Sequence, residues 1–173
     1  VEILRENKSP IALELACTLG EWWYSSKKYD KVVETMNECA QEHLVDGNEI
    51  GAANDLHLIG CAERELKNYE KAIELLTEAD QKKSADWHNL MGYSLRKKAV
   101  PNLNEAEKYY ISALNLDSTH RGALEYYGEL FLIKKDLVGA EKMLARLDKA
   151  CMFGCEEFQD LKKSIQQYKT QKP

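Results

Sequence analysis

Cys151 and Cys155 bracket the segment Cys-Met-Phe-Gly-Cys, the sharpest local feature of the sequence. Zinc sites built on cysteine pairs use two such pairs, and the remaining cysteines, Cys17, Cys39 and Cys61, stand singly. Thioredoxin-type exchange needs Cys-x-x-Cys at a helix start after a strand, which this segment does not provide. Two readings of the residues stay open: a short-loop disulfide, or two free thiols packed against the preceding helix. His43, His57, His88 and His120 show no His-x-x-x-His spacing, so no metal site is expected from them. Trp22, Trp23 and Trp87 read as core or groove residues rather than a ligand cage. The sequence has no glycine-rich phosphate loop and no Gly-x-Ser-x-Gly. The expectation is a non-enzymatic chain with no catalytic residue, no metal and no cofactor.

The chain around these residues is long enough for one sizeable core, with 173 residues of which 44% are hydrophobic. Its net charge of -5 argues against a general binder of nucleic acid or anionic membrane, which needs a basic face. No apolar run approaches the ~18 residues of a membrane span. Three prolines and nine glycines suit helices joined by short turns.

Apolar residues recur at helical spacing along nearly the whole chain. Ile11, Leu15, Leu19, Trp22 and Trp23 define a first inward face, and Val32, Val33, Met36, Cys39 and Ala40 a returning one. Ile50, Ala53, Leu56, Ile59 and Ala62 are followed by Ala72, Ile73, Leu76 and Ala79. Further helices are expected at 87–98, 103–116, 121–134, 137–149 and 156–169. Breakers separate them at Val45-Asp46-Gly47-Asn48 and at Ala99-Val100-Pro101-Asn102. Ser84-Ala85-Asp86 has the short polar side chains of a helix cap. Lysines gather at the helix ends (Lys27-Lys28, Lys134-Lys135), and Asp30, Glu70, Glu105 and Asp136 stand at the next starts. The helix dipole favours both placements.

Aligned on Gly20, Gly60, Gly92 and Gly128, the chain repeats at spacings of 40, 32 and 36 residues. Small or β-branched residues follow at Val32, Ala72, Ala106 and Ala140. Large ones follow at Met36, Leu76, Tyr110 and Leu144. This pattern resembles the tetratricopeptide repeat (TPR), whose period is about 34 residues and whose small positions let paired helices cross closely. The resemblance implies an all-α, right-handed superhelical solenoid of antiparallel helix pairs. Residues 11–149 would form four pairs, and 150–173 a cysteine-containing corner and a capping helix, with Met152 and Phe153 tucked into the corner before that helix. Residues 1–10 would be the end of a partial preceding repeat or an N-terminal tail.

The first helix of each TPR pair lines a groove. The matching positions here are Glu14, Cys17, Glu21 and Tyr24; Asn54, His57, Cys61 and Arg64; Asp86, Asn89, Tyr93 and Arg96; and Glu125, Glu129 and Leu132. Tyr24, Asn54, His57, Arg64, Asn89, Tyr93, Arg96, Glu125 and Glu129 are the expected partner-binding set, because amides can bond a peptide backbone and rings supply area. The positions that clamp a carboxylate tail in one TPR subclass lack cations here, so that function is rejected. The resemblance implies a scaffold or adaptor that binds a protein or peptide, with self-association through open repeat ends as a further expectation. The segment from Cys151 through Phe158 to Lys162 resembles the ending of small exported bacterial TPR proteins. That favours a Cys151–Cys155 disulfide and a periplasmic location, with the cytoplasm as the alternative. The competing function is a thiol redox or thiol-sensing protein using the same two cysteines.

Overall fold

The computed structural model describes residues 10–151 and 154–171, with side chains described for 15–151 and 154–170. The expectations for residues 1–9, the Glu14 side chain, Met152 and Phe153 lie outside these described residues. Among the described residues there are helices and turns and no strand. The helices are α1 (Pro10–Ser25), α2 (Tyr29–Val45), α3 (Glu49–Glu65), α4 (Tyr69–Ala79), α5 (Ala85–Lys97), α6 (Leu103–Leu116), α7 (Arg121–Ile133), α8 (Leu137–Ala150) and α9 (Glu156–Gln171). They form two compact units, Val1–Gln81 and Lys82–Pro173.

In the first unit α1 to α4 pack in succession, α2 on α1 and α3, and α3 on α4. Links of a few residues make consecutive helices antiparallel neighbours. Val32, Met36, Cys39 and Ala40 of α2 meet Leu56, Ile59 and Ala62 of α3 in one core. The inward face of α1 is rotated from that expected, and α3 keeps Leu56, Ile59 and Ala62 inward but departs at its first turn. Leu15 and Trp22 are exposed, Trp22 by 52%, while Ala16 and Gly20 are buried. Ile50 is 76% exposed, and Ala52 takes the inward place. The physical reason is close helix crossing: small residues go to the contact, and the larger apolar side chains flanking them go to its margins. Trp22 is not idle there. Its ring centroid lies 4.5 Å from that of Trp23, and Lys28 Nζ lies 4.8 Å from the Trp23 centroid.

Four turns repeat one device. Lys27, Gly47, Lys67 and Lys135 all take positive φ, between 57° and 72°. Each is followed by a residue whose amide reaches back to a carbonyl five residues earlier, as Asn68 N donates to Glu63 O at 2.8 Å and Asp136 N to Phe131 O at 2.8 Å. This is the Schellman ending of a helix, which satisfies carbonyls the helix leaves bare. The lysines noted at helix ends therefore occupy the backbone position most often given to glycine.

In the second unit α5 packs on α6, α7 on α6 and α8, and α9 on both α7 and α8. Ser84 caps α5 through Trp87 N at 3.2 Å, and Asp136 caps α8 through Gly139 N at 2.8 Å. The repeat glycines mark close approaches. A Cβ at Gly92 would lie 2.8 Å from Tyr110 Cε1, and one at Gly60 3.0 Å from Leu76 Cγ. Gly128 departs from the series. Its near neighbour is Leu161 of α9, 2.5 Å from the added Cβ, and not Leu144. The last helix therefore enters the crossing at the end of the repeats. Its Leu161 and Ile165 are buried against Ala123, Leu124 and Leu147, with Phe158 half-buried beside them.

Candidate interaction face and its surroundings

The first helices of successive pairs, α5 and α7, share one face of the second unit. Arg96 of α5 spans it. Its Nη2 lies 2.8 Å from Glu129 Oε2 on α7, and its Nε donates to the Tyr110 hydroxyl at 3.3 Å. The guanidinium carbon lies 5.4 Å from the Tyr93 ring and 5.6 Å from the Tyr126 ring, and these two rings are 4.7 Å apart. A guanidinium over two rings combines cation–π attraction with desolvation. At 6% exposure Arg96 is held inside this network, and it is not the open cation that its position in the sequence implied.

Glu125 lies one turn before Glu129 and is 8% exposed. Burial pushes its carboxyl up to about 8, with Glu129, Asp160 and Glu157 adding to the rise and Arg96 opposing it. The group is therefore mostly neutral at pH 7 and able to donate a hydrogen bond. Asn89, 6% exposed, has no hydrogen-bond partner for its Oδ1. Its Nδ2 lies 3.0 Å from where a Cβ at Gly122 would stand. Gly122 thus leaves room for the amide between α5 and α7. At the start of this face His120 Nε2 pairs with Asp86 Oδ1 at 2.9 Å, and His120 Nδ1 accepts from Ala123 N.

In the first unit the expected set divides. Arg64 Nη2 donates to the Tyr24 hydroxyl at 3.4 Å and is paired with Glu65. Burial raises the Tyr24 phenol to about 12. Asn54 and His57 line a separate cleft of about 260 Å³ with Cys17, Glu21, Asp55 and Gln81. Gln81 Nε2 donates to Asn54 Oδ1 at 2.8 Å across its edge. Beside the cleft, Cys17, His43 and Asp55 each offer an atom within 4.8 Å of the others. Neither histidine spacing nor cysteine pairing in the sequence points to this cluster. A partial signal was Cys39-x-x-x-His43, an i, i+4 pair that places a thiol on the helix face of His43, next to the cluster. Tyr126 was missed as well, because its place lies outside the repeat's groove positions.

Cys151 and Cys155 are disulfide-bonded in the structure, with Cα atoms 5.7 Å apart, at the corner between α8 and α9. Gly154 takes φ +82° there, a conformation that glycine adopts without Cβ strain. No helix among the described residues is long and apolar enough to cross a membrane.

No protein-family model matches the chain, and no curated protein matches it. Solved structures do. MamA matches over 98% of this chain and 86% of its own, with 14% identity and a TM-score of 0.65. A second MamA structure matches over 91% and 88%, with 13% identity and a TM-score of 0.63. YrrB, described as a TPR protein with an unusual peptide-binding site, matches over 91% and 88%, with 15% identity and a TM-score of 0.58. At such identities the likeness is one of fold. The chain has an all-α, TPR-like fold built from helix pairs and a closing helix.

Proposed function

We propose that this chain is a non-enzymatic interaction scaffold, and that the shared face of α5 and α7 holds a peptide segment of a protein partner. The observation that carries this reading is the Arg96 network. Arg96 spends its charge on Glu129 and Tyr110, and this fixes the half-buried Tyr93 and Tyr126 rings side by side as a platform. Rigid aromatic area beside amides and carboxyls is the composition of a binding hot spot. Glu129 and Glu157 are paired with Arg96 and Arg121, and Lys97 Nζ lies 5.8 Å from the Tyr93 ring, so recognition at the platform rests on ring area and hydrogen bonding. Asn89 Oδ1 and the protonated Glu125 supply an acceptor and a donor for its backbone. The second MamA match and YrrB have the same fold, and peptide binding by YrrB lends this reading weight by analogy alone.

The test uses the protein and a partner recovered from its source cells. Tyr93→Ala, Tyr126→Ala and Asn89→Ala weaken the recovered complex about tenfold or more with little change in melting temperature. Lys108→Ala, on the exposed side of α6, leaves it intact. Equal weakening by Lys108→Ala moves the site off this face.

We propose further that the chain works in an oxidising compartment such as the bacterial periplasm, where a Cys151–Cys155 bridge persists. Alkylation without reductant, read by mass spectrometry on protein from its native compartment, leaves the pair unmodified if this holds. Two alkylated thiols at these positions refute it.

A further inference from the structure

The polar cluster of the first unit lies apart from the face described above and has its own chemistry. Cys17 comes from α1, Cys39 and His43 from adjacent turns of α2, and Asp55 from α3. His43 Nδ1 and Asp55 Oδ2 are hydrogen-bonded at 2.6 Å. The Cys17 and Cys39 side chains interact with each other. Asp55 and Cys39 are both buried, an unusual place for a carboxylate unless it is paired or coordinated. The cleft lined by Cys17 and Asp55 gives solvent a path to the cluster.

We propose that Cys17, Cys39, His43 and Asp55 form a binding site for zinc or a similar borderline divalent transition metal. Two sulfurs, one imidazole and one carboxylate suit such an ion and exclude calcium and magnesium, which take oxygen ligands. Zinc bonds of about 2.0–2.3 Å set neighbouring tetrahedral ligands about 3.3–3.8 Å apart. The Cys17, His43 and Asp55 atoms, within 4.8 Å of one another, must close by about 1 Å, the His43–Asp55 pair must open by about 0.7 Å, and Cys39, outside that trio, must turn toward it as the fourth ligand. Burial holds both thiols above their ordinary range, so the metal-free cysteines are protonated. Binding releases these two protons, and His43 ligates as neutral imidazole. Two thiolates and one carboxylate then neutralise the dication with one charge over. The ion would staple α1, α2 and α3 together, three helices that otherwise meet through their shared apolar core.

The experiment titrates the full chain, reduced and stripped with chelator, with cobalt(II) and then with zinc. The expected result is one cobalt per chain, with thiolate charge-transfer and tetrahedral visible bands that zinc abolishes. Cys17→Ser and His43→Ala each weaken cobalt binding by more than about tenfold. Cys61→Ser binds as wild type. Should Cys17→Ser fail to fold, alkylation of the wild type decides: zinc slows modification of Cys17 and Cys39 and leaves Cys61 unchanged. Absence of the charge-transfer band in reduced protein overturns the proposal. So does a band that survives in both variants, or equal alkylation of Cys17 and Cys39 with and without zinc.

Discussion

Arg96 Nη2 and Glu129 Oε2, on the first helices of two successive pairs, lie 2.8 Å apart, and the Arg96 side chain is almost wholly removed from water. A buried cation with one carboxylate and one phenol for company has little slack. Arg96→Met leaves Glu129 unpaired beside Glu125 and is expected to cost about 2–4 kcal/mol. In the Glu129→Gln background the same change costs less, because no carboxylate is stranded. Arg96→Lys does not restore the loss, since an ammonium cannot reach Glu129 and Tyr110 with a planar fork. Urea denaturation of Arg96→Met, Glu129→Gln, their double variant and Arg96→Lys checks this.

Gly92 marks a close contact with a rigid ring in the second unit. A Cβ there meets the Tyr110 ring at 2.8 Å, and that ring is fully buried. Moving it also strains the Arg96 hydrogen bond. Gly92→Ala is expected to destabilise by about 1–3 kcal/mol in spite of alanine's better helix propensity. Gly60→Ala, 3.0 Å from the more pliable Leu76, costs less. Reversal of that order in denaturation midpoints contradicts the packing described for this crossing.

Glu125 makes stability depend on pH. Its carboxyl is raised to about 8 in the folded chain by burial, with Glu129, Asp160 and Glu157 as further causes and Arg96 opposing. The folded state then holds a proton that the unfolded state has lost, so stability falls as pH rises from about 4.5 to 8. Below that window both states are protonated, and above it both are ionised. Glu125→Gln is expected to flatten the decline across that window, as read from melting temperatures in a pH series.

Lys135 tests the repeated turn. It is exposed and holds φ at 63°, a strained value for any residue with a Cβ. Lys135→Gly relieves that strain at some cost in unfolded-chain entropy, for a net gain of about 0.5–1 kcal/mol. Lys134→Gly, inside the same turn at φ -76°, has no strain to relieve and destabilises.

The helical period, the turns and the repeat glycines were all legible in the sequence, because each rests on local rules of spacing and backbone conformation. The rotation of α1 was not. Leu15 and Trp22 fit an apolar stripe as well as Ala16 and Gly20 do, and only the partner helix decides which side closes. Leu161 taking Leu144's expected place at Gly128 was hidden for the same reason, since a capping helix lies outside the repeat. At the candidate face, residue positions followed from the repeat, but the burial of Arg96 did not. It depends on Tyr126 and Glu129 meeting it from the next pair. The cysteine–histidine cluster escaped because its members come from three helices.

On the proposed function the α5–α7 face, and not the outer helices, carries the partner. Photo-crosslinking residues placed singly at Tyr93, Tyr126 and Lys108 in the full chain test it most directly, with adducts formed in cells and digested to locate them. Tyr93 and Tyr126 are expected to yield one common adduct with a peptide of a single protein, and Lys108 none. The same adduct from Lys108, with Tyr93 and Tyr126 silent, would contradict the account.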